Sequence, residues 1–148
     1  MHEKLKFEQI KKDSCASLRY DYSSLYPKDE MPLHFHPEIE ICYVVKGSGY
    51  RMIGDFLEPF EEGEVVLVPT NQPHCWMYNP ESCEPDGKRR CIVVQFNPDL
   101  LQTGLSFFTE WEYAAHRLSA IQKGILLTGE TAGKLKSCLE EMTLLNAS

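Results

Sequence analysis

Short apolar runs broken by Gly, Pro, Asn and Asp fill roughly the first hundred residues. That pattern predicts strands of a sandwich or small barrel rather than helices. The expected strands are Ser14–Tyr20, Pro32–Phe35, Glu38–Val45, Tyr50–Ile53, Glu64–Val68, His74–Tyr78 and Arg90–Phe96. Lys46-Gly-Ser-Gly49 reads as a hairpin turn, where glycine supplies positive φ at low cost, and Gly54-Asp55 as a second turn. The stretch 79–88, NPESCEPDGK, reads as a long, mobile polar loop. After Pro98 the period changes. Thr109-x-x-Glu112 has capping-box spacing, and Trp111, Ala114, Ala115, Leu118 and Ile121 recur behind it at helical intervals. Ile125–Leu127 reads as a short apolar connector. A second helix from about Glu130 places Leu135, Cys138, Leu139, Met142 and Leu145 on one face. The organisation implied is a β-domain over 1–100 followed by a helical pair over 101–148.

Side chains alternate across a strand. If Glu40 faces inward, Cys42 and Val44 do too, while Ile41, Tyr43 and Val45 face out. The outward face is then also apolar, which requires cover from helices, another sheet or a partner chain. His74, Trp76 and Tyr78 share a face, and Gln95, with Cys91 and Val93, adds an amide to the same lining.

Composition narrows the function classes. A chain of 148 residues forms one domain with a substantial core. A formal net charge of -7 argues against a nucleic-acid surface within these residues, and the basic run Lys88-Arg89-Arg90 reads as a solvated hairpin shoulder. No stretch approaches the ~18 apolar residues a bilayer span needs, and the first residues lack the apolar region of a signal peptide. Six cysteines without a Cys-x2-Cys pair, three of them in apolar strand patterns, read as reduced thiols in a cytoplasmic protein.

The chemistry concentrates in two clusters, His34-Phe-His36-x3-Glu40 and His74. Imidazole and carboxylate donors form a borderline-hard set suited to a divalent metal such as Zn, Ni, Mn or Fe. Two separated hairpins supplying them imply one site inside a barrel. With Trp76 and Tyr78 the lining becomes amphipathic, as a small polar ligand such as a sugar requires. The ligand contacts expected are therefore His34, His36, Glu40, His74, Trp76 and Tyr78, with the first four as metal donors. Without a metal, the same residues would hydrogen-bond one another or an organic ligand. Glu38 reads as a solvated edge residue, and neither His2 nor His116 has a patterned partner.

These segments resemble the two motifs of the cupin superfamily. His34, His36, Glu40 and Gly47 fit the first, and Gly63, Pro69 and His74 the second. The departures are Lys28 for an initial Gly, Asn71 for an internal Gly and Tyr78 for a final Asn. Asn tolerates the left-handed conformation better than most residues. The resemblance implies a mainly β fold, a double-stranded β-helix or jelly-roll barrel, followed by a C-terminal antiparallel helical pair. A longer run, HFHPEIEICYVVKGSGYRMIGDFLEPFEEGEVVLVPTNQPHCW and the helical part after it, resembles the N-terminal sensor domain of AraC-type transcription regulators. That resemblance implies a small-molecule effector in the barrel and a homodimer formed through the helices, here Leu135, Leu139, Met142 and Leu145. It also implies DNA binding only through C-terminal helix-turn-helix units that this chain does not contain. Arg51, Glu58 and residues 1–13 would form a lid. The alternative is a stand-alone metal-dependent cupin enzyme of dioxygenase, isomerase or decarboxylase type. A third reading is a dimerisation domain with a dead barrel.

Overall fold

The computed structural model describes residues 4–12, 16–105 and 107–146. Ten strands and three helices follow in the order β1 (Lys6–Phe7), β2 (Leu18–Leu25), β3 (His34–Phe35), β4 (Ile39–Lys46), β5 (Gly49–Ile53), β6 (Phe56–Phe60), β7 (Val65–Val68), β8 (His74–Tyr78), β9 (Arg89–Phe96), α1 (Asp99–Leu105), α2 (Trp111–Ser119), β10 (Ile125–Leu127) and α3 (Gly129–Asn146). Two five-stranded sheets result, ordered β1-β3-β8-β5-β6 and β10-β7-β4-β9-β2. The chain passes repeatedly from one to the other, as the expected jelly roll requires.

Alternation divides the strands as anticipated. Cys42, Val44, Val66, Val68, Trp76 and Tyr78 fill the space between the sheets together with Phe60. Tyr43, Val65, Ile92 and Val94 face the other way and pack under Leu139 of α3, with Leu135 and Met142 beside it. Ile39, Leu67, Leu101 and Ala115 form a third cluster, joined by Leu118 and Ile121. All four residues of β7 are buried, because one parity faces the interior and the other faces the helices. The α3 stripe thus places Leu135, Leu139 and Met142 on its own barrel, while Leu145 is 76% exposed. Tyr43 Oη donates to Glu140 Oε1 at 3.1 Å and Tyr20 Oη bonds Thr143 Oγ1, which pins the helix.

Several local expectations are corrected. The strand expected at Ser14–Tyr20 runs from Leu18 to Leu25, paired with β9 from Leu18↔Phe96 to Leu25↔Arg89; Ser14 lies outside the described residues. Its extent is set by the length of a partner distant in sequence. Phe56–Phe60 is a strand, although four of its five residues are exposed; pairing with β5 around the Gly54-Asp55 turn holds it, and Pro59 is tolerated at a sheet edge. Ile125–Leu127 is a strand on the edge of β7 rather than a connector. Asp99–Leu105 is helical, and Asn97 Oδ1 accepts from the Asp99 amide at 2.8 Å; Asn-Pro ahead of an acidic residue was the available start signal. The Thr109/Glu112 capping box does not form. Glu110 is the N-cap, already helical at φ -62, ψ -19, with no side-chain bond. The loop at 79–88 is tied down at one end: Asn79 Oδ1 accepts from Glu81 N at 3.1 Å, and Ser48 N donates to Ser82 Oγ at 2.8 Å.

Asn71 adopts φ 58, alone among the described non-glycine residues in taking positive φ. Cys42 and Cys91 are buried free thiols and Cys75 is buried too; Cys15 and His2 lie outside the described residues. No helix among the described residues is long and apolar enough to cross a membrane.

Because Leu139 is buried against the outer sheet face and Leu144 is 74% exposed, Leu139→Ala is expected to cost about 2–5 kcal/mol. Leu144→Ala is expected to stay within about 0.5 kcal/mol. Urea unfolding midpoints of the two variants check the contrast.

Candidate metal centre

Register brings the site together. His34 on β3 is the direct cross-strand partner of His74 on β8 in one sheet. Glu40 on β4 is the direct partner of Gln95 on β9 in the other. His36 lies between them, at the corner where the chain leaves β3 for β4, and its carbonyl accepts from Asn71 N at 2.8 Å. The left-handed turn at Asn71 thus closes the corner around His36.

All three rings are buried, and their ligand atoms lie within 4.8 Å of one another. Each Nδ1 meets a backbone carbonyl: His34 at Pro32 (2.8 Å), His36 at Glu38 (3.2 Å) and His74 at Gln72 (2.8 Å). A carbonyl only accepts, so each Nδ1 carries the proton and donates it. In a neutral ring this leaves each Nε2 as a bare lone pair. Glu40 Oε2 stands 3.2 Å from His36 Nε2 and 3.7 Å from His74 Nε2, the latter beyond hydrogen-bond reach. Gln95 Nε2 donates to the same oxygen at 2.8 Å, while Gln95 Oε1 accepts from Arg19 Nη1 at 2.9 Å.

Above this group lies a cavity of about 380 Å³, lined by His34, Glu40, Trp76, Tyr78 and Gln95 among others. His36 and His74 sit behind its wall. Of the six residues expected at the ligand, four therefore line the cavity and two back it. The buried Trp76 Nε1 has no hydrogen-bond partner, so an indole donor is available within that wall.

Residues 22–84 match the family model of the cupin domain. The fold is that of a cupin. No curated protein sequence matches it. Solved structures similar to it include a cupin 2 conserved barrel domain protein from Rhodopseudomonas palustris (14% identity, 59% of this chain and 57% of that one, TM-score 0.45). Another is an oxalate decarboxylase mutant from Bacillus subtilis (24% identity, 56% of this chain and 22% of that one, TM-score 0.45). A third is an RmlC-like cupin family protein with a double-stranded β-helix fold from Methanocaldococcus jannaschii (16% identity, 61% of this chain and 91% of that one, TM-score 0.43). The chain spans less than two thirds of the first two of these proteins. Similarity at this level carries neither a substrate nor a reaction across.

The histidine group fits a divalent cation on its own chemistry. Three imidazole nitrogens and a carboxylate oxygen lie close together; Gln95 Nε2 reaches His36 Nε2 at 3.4 Å, and the buried His74 Nε2 has no hydrogen-bond partner. A divalent cation between such acceptors would satisfy them together. A proton on His74 answers part of this demand: burial disfavours its charge, but the Glu40 carboxylate outweighs burial and raises its pKa. Burial likewise opposes the Glu40 charge, yet His36 and His74 hold that carboxyl far below its usual range. His34 goes the other way, lowered to about 4 by burial and then by His74. It is a neutral donor near pH 7. Carbonyls on all three Nδ1 positions also hold the rings in ligating orientation.

Three sequence expectations about charge are corrected. Glu38 is 8% exposed, not a solvated edge; its carbonyl binds His36 Nδ1, which turns its side chain into the corner. Arg89 is buried, pairs with Glu30 and lines the cavity, because its parity on β9 matches Cys91. Arg51 is buried too and pairs with Glu58 and Glu64. Arg51 and Glu58 line a separate cavity with Ile53, Phe56 and Lys123, away from the histidines. Arg19, Asp21 and Ser23 line the main cavity from β2 and were missed. Their signal is the alternation with Leu18, Tyr20 and Tyr22, hidden by ending the strand at Tyr20.

The ring centroids of His74 and Trp76 lie 5.8 Å apart, and the other tryptophan, Trp111, is 46% exposed on α2. Co²⁺ is expected to quench indole fluorescence in the native chain and in Trp111→Phe. In Trp76→Phe the quenching should disappear, and a fluorescence titration of the three proteins reads this directly.

Proposed function

We propose that this chain is the effector-sensing and dimerisation domain of an AraC-type transcriptional regulator. A small neutral metabolite, of which a sugar is the simplest case, binds in the cavity against a divalent ion held by His34, His36 and His74 with Glu40. The observation that carries this reading is the convergence of three bare imidazole nitrogens at a cavity of metabolite size. When bound, the ion supplies a Lewis acid to which hydroxyl or carbonyl oxygens of a ligand bind.

The charges in the wall favour a neutral, hydroxyl-rich ligand over an anion. Glu8, Asp21, Asp29, Glu30 and Glu40 line the cavity against Arg19 and Arg89. Trp76 offers an apolar face with an indole donor, a combination suited to a sugar ring. Strand β4 supports the regulatory part. Its inward residues Glu40 and Cys42 line the cavity, while Tyr43 on its other face lies under α3. A ligand that favours one position of this strand would bias the helices through a single layer of backbone. A regulatory effect requires such a difference in binding energy between two states. DNA contact belongs to C-terminal units beyond this chain. The homodimer is part of the same proposal. Leu135, Leu139 and Met142 are already packed on the barrel, so the surface for it is the exposed aromatic set Phe107, Phe108, Trp111 and Tyr113.

The same histidine group favours a second reading, a metal-dependent cupin enzyme acting on a compound of this kind. One experiment separates them. The chain is purified without an affinity-tag column, its metal content measured, and the loaded protein mixed with sugars and polyols while unfolding temperature and compound integrity are followed. Stoichiometric metal is expected, removed by His74→Ala. A compound at 100 times its Kd adds about 2.7 kcal/mol of stability and should remain intact. Consumption of the compound would establish the enzyme, and absence of any shift would end the sensor reading.

A further inference from the structure

One carboxylate near the histidines belongs to neither motif. Glu8 follows the two-residue strand β1, which lies parallel to β3. Lys6 N donates to the Leu33 carbonyl and Glu8 N to the Phe35 carbonyl, both at 3.0 Å. These two bonds bracket His34 and bring Glu8 into the cavity wall. Glu8 Oε2 lies 3.4 Å from His34 Nε2.

That contact faces acceptor to acceptor. His34 Nδ1 holds its proton on the Pro32 carbonyl at 2.8 Å, so a neutral ring presents only a lone pair to the carboxylate. A cation between the two atoms turns a mutual repulsion into a pair of ligand bonds. Glu40 makes its approaches at the other rings, 3.2 Å from His36 and 3.7 Å from His74. The two carboxylates therefore meet the histidine group at different members and do not compete for one position. Both are hard oxygen donors, which suits Mn or Zn alongside imidazole.

We propose that Glu8 is a fifth protein donor of the metal centre, delivered by the N-terminal strand, so that metal binding and docking of this strand stabilise each other. The inference rests on the metal reading above. The strand is held by few contacts, two backbone bonds and the Phe7–Phe35 ring contact. It is an edge of two residues, and Phe7 is 63% exposed. A ligand bond formed only in the docked state adds its free energy to docking.

Titration calorimetry with Mn²⁺ and with Zn²⁺ on the whole chain, on Glu8→Gln and on His74→Ala tests it. Hydrogen exchange at the Lys6 and Glu8 amides and Mn²⁺ electron paramagnetic resonance accompany the titrations. Loss of an outer-shell partner typically weakens metal affinity by about 10–100-fold, and removing a direct donor is expected to cost at least that in Glu8→Gln. Metal should slow exchange at the two amides in the native chain and leave it unchanged in Glu8→Gln. The isosteric amide keeps the strand's backbone bonds, and an unchanged unfolding temperature in chelator verifies this. If Glu8→Gln binds as the native chain does with the same resonance spectrum, while His74→Ala loses binding, the metal centre stands and the role of Glu8 is refuted. If the native chain binds neither ion, both readings fall.

Discussion

The structure turns on a set of buried acceptors that cannot satisfy one another. Three imidazoles give their Nδ1 protons to backbone carbonyls and point their remaining nitrogens at carboxylate oxygens. Gln95 is the one side-chain amide that donates into the cluster, to Glu40 at 2.8 Å and more distantly to His36 Nε2 at 3.4 Å, which leaves His74 Nε2 unserved. In a low-dielectric interior, unpaired acceptors of this kind are costly. A divalent ion removes the cost for every member together, which a single proton does not. The surrounding fold makes sense as the frame that holds these rings still.

The frame works because β4, β7 and β9 of the helix-covered sheet carry apolar residues on both faces. Inward residues close the barrel below the cavity, and outward residues hold α3 and α2. Neither layer is free to shift alone. Glu40 and Cys42 line the cavity, while the next residue, Tyr43, meets the helix, so cavity and helical surface share one strand. Close packing transmits small displacements instead of absorbing them.

Charge tells the same story at the mouth. Arg19 and Arg89 do not stand free to grip an anion; they are held by Gln95 and Glu30. The carboxylates around them are more numerous, so the cavity as a whole draws cations and hydroxyl groups. Glu8 extends this acidic ring onto the two-residue edge strand β1.

Much was legible in the sequence because it depends on local rules. Period-two alternation located β4, β5, β7, β8 and β9 and put Cys42 and Val44 opposite Tyr43, while Asn71 in place of a motif glycine pointed to left-handed backbone there. Residue chemistry singled out His34, His36, Glu40 and His74. Tertiary structure decided what depends on partners distant in the chain. The extent of β2 follows from its register on β9, and the strand nature of Phe56–Phe60 and Ile125–Leu127 from the edges they pair with. Burial of Glu38 and Arg89 came from the corner and the cavity around them. Proton placement on each imidazole came from carbonyls that only folding brings within reach. Glu8 acquired its position from a parallel pairing that leaves no periodic trace. Alternation is written residue by residue, whereas register and hydrogen-bond partners are properties of two segments at once.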